Sequence, residues 1–142
     1  MRSASASFCL AALLAASACS KVSIRNVEKQ RDLEGRAPKD WDTIFLVVGV
    51  DVSGAFSSDE FSLRDDSGKA ETAIGGCMVD SHMCGFGGMK FEKAADNFEP
   101  SVVFVVDKER PLGAYTLVFR GSETSLKGFE PRRGARDTKR LD

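Results

Sequence analysis

The apolar residues of this chain fall in short, β-branched runs rather than in helical stripes. The strongest run spans 42–52. There Ile44, Leu46, Val48, Val50 and Val52 alternate onto one face, while Phe45 and Val47 occupy the other before it turns polar at Asp51. Alternation this dense in branched side chains predicts a strand. Val22, Ile24 and Val27 mark an earlier apolar stripe over 21–28. Phe61 and Leu63 lead into the turn Asp65-Asp66-Ser67-Gly68, and 70–74 returns as the second arm of a hairpin. Two further strands are expected over 100–108, through Val102 to Val106, and over 114–120, where Tyr115, Leu117 and Phe119 share a face. A short turn over 109–113 joins them. Residues 90–95 fit an edge strand or a helical turn. The polar stretch 29–40, with Gly35 and Pro38 inside it, reads as a loop or tether. Six or seven short strands without a convincing helix predict an all-β fold, an antiparallel sandwich.

The beginning of the chain has a different pattern. Arg2 is the only charge before Lys21, and the apolar centre over 8–16 is too short to cross a bilayer core, which takes roughly 20 helical residues. A charged start, a short apolar centre and small residues after it make a secretory signal over 1–18. The run Leu13-Leu14-Ala15-Ala16-Ser17-Ala18-Cys19-Ser20 resembles the bacterial lipobox, in which the peptide is cut before a cysteine that becomes lipidated. It departs from that pattern at Ala16, where leucine is usual, and Ala16-Ser17-Ala18 also suits ordinary signal cleavage. Cysteine parity bears on the choice. With Cys9 removed and Cys19 acylated, Cys77 and Cys84 remain as an even pair; without acylation an oxidising compartment holds one orphan. The expected division is therefore a lipoprotein signal over 1–18, then lipid anchor, first strand and linker over 19–40. The rest of the sandwich follows over 41–121, and a disordered basic tail over 122–142.

Composition narrows the function classes. The 142 residues are 42% hydrophobic and 29% charged, with a formal net charge of −1, so no global basic field points to nucleic acid. A single histidine removes most acid–base and triad chemistries, and neither G-x-S-x-G nor H-E-x-x-H occurs. About 100 ordered residues suffice for one two-sheet core.

The opening strand Val22-Ser23-Ile24-Arg25-Asn26-Val27-Glu28 and the valine-rich strand 44–52 are followed by the F-x-L-x-D-x-x-G hairpin over 61–68. An apolar strand pair closes the domain. Together these resemble a family of bacterial secreted lipoproteins carrying one immunoglobulin-like β-sandwich, similar in fold to secreted mycobacterial immunoprotective antigens. The resemblance covers roughly residues 21–121 and departs at Asp51-Val52-Ser53-Gly54 and over the insert 75–89. It implies a fold and a compartment and no residues that do chemistry. Ser20, in place of the aspartate that retains lipoproteins in the inner membrane, implies the outer membrane, facing the periplasm.

The chemically unusual segment is 77–89. It holds Cys77, Cys84, the only histidine, His82, and the methionines Met78, Met83 and Met89. In an oxidising compartment Cys77 and Cys84 close a disulfide loop, with Met78, Met83, Met89 and Phe86 packed over the end of the sandwich. The alternative is a copper site built from Met78, His82, Met83 and Met89, joined by the cysteines if reduced, because thioether, imidazole and thiolate suit copper(I). Gly85, Gly87 and Gly88 read as turn residues with positive φ, not as a phosphate loop. Asp51, Asp59, Glu60, Asp65 and Asp66 lack calcium-loop spacing and read as solvated. Trp41, just before the long strand, reads as a core edge rather than a ligand platform. The tail over 131–142, with five basic and two acidic side chains, reads as solubilising, or as resting on anionic lipid or wall polymer. The function expected from all this is a lipid-anchored cell-envelope binding or structural accessory module, not an enzyme. Its partners would be the membrane, through the N-terminal lipid, and an unidentified envelope protein or ligand.

Overall fold

A computed structural model describes residues 22–79, 81–92 and 99–129. The signal segment, Cys19 and the tail over 130–142 lie outside the described residues.

The fold is all-β, with antiparallel sheets of five, four and two strands. The strands are β1 (Val22–Gln30), β2 (Thr43–Val52), β3 (Phe56–Ser57), β4 (Phe61–Arg64), β5 (Ala70–Thr72), β6 (Gly75–Val79), β7 (His82–Phe86), β8 (Lys90–Phe91), β9 (Ser101–Asp107), β10 (Thr116–Phe119) and β11 (Ser122–Ser125). The five-stranded sheet has the order β1-β2-β9-β6-β7 and the four-stranded sheet the order β11-β10-β4-β5. Lettered in chain order these are A-B-E-D and G-F-C-C′, the strand order of immunoglobulin domains, with β7 added outside D. Tyr115 sits at the corner between β9 and β10, the place of the corner tyrosine in such sandwiches. No helix among the described residues is long and apolar enough to cross a membrane.

The alternation in β2 explains how this sheet is used twice. Leu46, Val48 and Val50 face inward and stack beside Val102, Phe104 and Val106 of β9. Phe61, Leu63, Leu117 and Phe119 from the opposing sheet belong to the same core, together with Tyr115 and Leu126. The other face carries Phe45 and Val47, which with Val103, Cys77 and Leu33 form a second, smaller core. A solvated outer face would leave these side chains in water. Instead the segment after β1 folds back over them, and Leu33 is 2% exposed. The stretch expected as a loop or tether is thus a lid on the outer sheet face.

Two expectations about the sandwich are corrected. The strand number is eleven among the described residues, not six or seven, because β3 has only two residues, β11 is wholly polar, and β6 and β7 are interrupted by Gly75, Gly76 and Gly85. The ordered body also continues past residue 121. β11 pairs with β10 across the two-residue turn Arg120-Gly121, both at positive φ (46° and 85°), which is the twist a tight hairpin favours. Leu126 beyond it is fully buried.

Candidate functional site

The segment 75–89 is a strand hairpin, not a loop. β6 pairs with β9 on one side and β7 on the other, with Cys77 directly opposite Cys84 and Val79 opposite His82. Glycine is required here for close approach. A Cβ at Gly75 would lie 2.3 Å from the Gly85 carbonyl oxygen, and one at Gly76 would lie 2.9 Å from the Phe91 ring. The turn reading of the glycines holds only at Gly87, with φ at 98°; Gly85 is in β7 and Gly88 does not have positive φ.

Cys77 and Cys84 form a disulfide. Cys77 is fully buried in the outer core, and Cys84 and Phe86 pack against that core from β7. Glu34, from the lid, accepts hydrogen bonds from the backbone N–H groups of Met83 (2.8 Å) and Cys84 (3.0 Å). Met83 has positive φ (58°), so two successive N–H groups converge on one carboxylate as in an anion-binding nest. Disulfide, lid and carboxylate together fasten β7 to the sheet.

The four alternative copper ligands are divided between two environments. Met78 and Met89 pack against the main core, whereas His82 and Met83 are exposed on β7. Met83 therefore does not pack over the sandwich as expected. Strand alternation also sets Met78 on the face opposite Cys77 and Val79, and His82 is in register with Val79. No group of three or more His, Cys, Asp or Glu among the described residues is placed to share a metal ion. The acidic residues weighed for calcium are dispersed: Asp51 pairs with Arg25 (3.1 Å), Glu60 with Arg120 (2.6 Å), and Asp65 (3.0 Å) and Asp66 (3.6 Å) with Arg110.

A different site emerges at one end of the sandwich. A cleft of about 450 Å³ opens where the start of β2, the end of β9, the β4–β5 turn and the corner before β10 meet. Its apolar lining is Leu63, Phe104, Val105, Val106 and Tyr115. Its polar lining is Asp40, Asp42, Thr43, Asp65, Glu71 and Asp107 with Lys69 and Arg110. Both cations already have carboxylate partners, Lys69 with Glu71 (3.3 Å) and Arg110 with Asp65 (3.0 Å). Hydrogen-bond acceptors therefore outnumber free donors around the opening.

Asp65 organises one wall. It accepts from the Ser67 hydroxyl (2.7 Å), the Ser67 N–H (2.9 Å) and the Lys69 N–H (3.0 Å), which makes the D-x-x-G turn a self-bonded loop. The Ser67 hydroxyl above all, then these N–H groups and the Arg110 charge, bring its carboxyl down to about 2. Tyr115 titrates above the ordinary phenol value, chiefly because it is buried.

Trp41 stands between two lining residues, Asp40 and Asp42, and is 76% exposed, so it is not the core edge expected. The guanidinium of Arg31 lies 4.5 Å from its ring centroid and also donates to the Thr43 carbonyl (2.5 Å). The available signal was its setting, Lys39-Asp40-Trp41-Asp42, which places charge on both sides of the indole.

Comparison with known proteins adds no relative: no family model, no curated protein and no solved structure matches the chain.

Proposed function

We propose that this protein is a non-catalytic binding module of the bacterial cell envelope, lipid-anchored through Cys19 and facing the periplasm from the outer membrane. The observation that carries the reading is the cleft. It is of ligand size, it joins an apolar lining to several polar groups, and it sits beside an exposed indole. Arg110 pairs with Asp65 and Lys69 with Glu71, an arrangement suited to positioning a partner rather than moving a proton. The acceptor-rich opening favours a partner that brings hydrogen-bond donors. The signal-like leader and the lone cysteine at its end support the anchor and the compartment, and the disulfide agrees with an oxidising one.

Two measurements test this. Growth of a bacterial host with a tagged fatty acid should label the wild-type protein and leave Cys19→Ala unlabelled; label on the variant contradicts the anchor. A photo-reactive amino acid at position 41 should give cross-links in intact cells, whereas one at the exposed Ser53 should give far fewer. Equal yields from the two positions contradict the cleft as the binding site.

A further inference from the structure

We propose that the end of the sandwich formed by Val22, the turn 53–55 and the Arg120-Gly121 turn is a membrane-facing surface, and that the cleft is held away from the lipid. The inference rests on the envelope reading only in requiring some anchor before Val22.

The register sets the direction. β1 starts at Val22 opposite Val52, and β2 runs from Val52 back to Thr43, which lines the cleft. Nine residue steps at about 3.3 Å each put roughly 30 Å between the entry point of the chain and the cleft. Cys19 precedes Val22 by three residues, which reach at most roughly 11 Å when extended. That tether is much shorter than the sandwich, so a lipid on Cys19 brings the Val22 end to the bilayer first.

The two surfaces also differ in charge. At the anchor end the turn 53–55 is Ser, Gly and Ala, and the neighbouring charges are paired as Arg25–Asp51 and Arg120–Glu60. At the far end Asp40, Asp42 and Asp107 add to the paired groups of the cleft. Arg31, Lys39 and Lys108 stand beside these carboxylates and the chain leaves this end at Phe129, so the orientation rests on the tether and not on charge.

Trp41 is the only tryptophan and reports on its own position. Full-length protein is taken from bacterial membranes into vesicles carrying a dansyl-labelled headgroup, and energy transfer from the indole is read. Wild type should show weak transfer. The double variants W41F/S53W and W41F/A55W move the indole to exposed positions at the other end and should show several-fold stronger transfer; either variant alone suffices if the other fails to fold. Equal transfer, or stronger transfer from Trp41, overturns the orientation. Protein absent from the membrane fraction overturns both the orientation and the anchor. A Cys19→Ala variant that stays membrane-bound with the same transfer pattern overturns acylation alone and leaves the orientation standing.

Discussion

The two ends of the sandwich are built on opposite principles. At the Val22 end two connections are tight, 53–55 between β2 and β3 and Arg120-Gly121 between β10 and β11, and the longer connection from β8 arrives here at Pro100, whose carbonyl accepts from Val50. Beneath them four phenylalanines pack ring on ring, Phe61 against Phe119 at 4.3 Å and Phe56 against Phe91 at 4.8 Å. At the cleft end two connections are long, over 31–42 and 108–115, beside the tight β4–β5 turn, and polar groups join Phe104 and Tyr115 around an opening. One end spends its residues on closure. The other keeps a cavity and leaves an indole in water. A rigid sheet pair that displays longer loops at one end is the arrangement in which binding residues sit on loops positioned by a scaffold. The difference locates function by where packing is forgone.

The comparison can be broken first at the sealed end. Phe61→Ala removes a fully buried ring stacked on Phe119 and should cost about 3–5 kcal/mol in denaturant unfolding. A loss under about 1 kcal/mol would mean that this end is not closed by packing. The double substitution Cys77→Ser/Cys84→Ser opens an eight-residue ring and should cost about 2.5 kcal/mol on the chain-entropy account. Protease nicking after it should begin near residues 33–36, because lid and disulfide share the outer core.

Acid separates the ends by titration. The carboxyls of Glu60, held down by its hydrogen bonds to Arg120, and of Asp65, held down to about 2, lie below their ordinary values. A depressed carboxyl stabilises the fold above its unfolded pKa, and that contribution is lost as pH falls through the folded value. Stability should therefore decline from about pH 4.5 toward pH 2. Asp65→Asn should flatten the lowest part of that curve, below about pH 4, and Glu60→Gln should not flatten it to the same depth. Indistinguishable curves for the two variants would remove Asp65 as the strongly held group. The smallest stability effect is expected at Trp41. Trp41→Ala should leave unfolding free energy within about 0.5 kcal/mol, since the ring is exposed, while abolishing partner cross-links from a photo-reactive residue placed at the exposed Glu109 of the same end.

Legibility along the sequence followed apolar density. β2, β9 and β10 are readable because Ile44 to Val52, Val102 to Val106, and Leu117 with Phe119 alternate or run continuously, and in β2 and β10 the alternation also gives the buried face. The Cys77–Cys84 pairing was readable because parity and spacing left a simple solution. The hairpin β6–β7 was not, because Gly75 and Gly76, needed for close backbone approach, and Gly85 interrupt its short strands, and missing side chains carry no periodicity. β11 was not, because Ser122-Glu123-Thr124-Ser125 is an edge strand whose place is fixed by a tight turn and by Leu126. The cleft was illegible for another reason. Asp42, Asp65, Asp107, Arg110 and Tyr115 are brought together by sheet register and not by spacing along the chain.

The central claim is that the partner meets the long-loop end. It is tested most directly by amide hydrogen exchange on the anchored protein in isolated envelopes, against the same protein on partner-free vesicles. Added protection over 31–42 and 108–115, with none over 53–60 or 120–122, is the predicted result. Added protection confined to the tight-turn end, with the cleft loops exchanging as before, would contradict it.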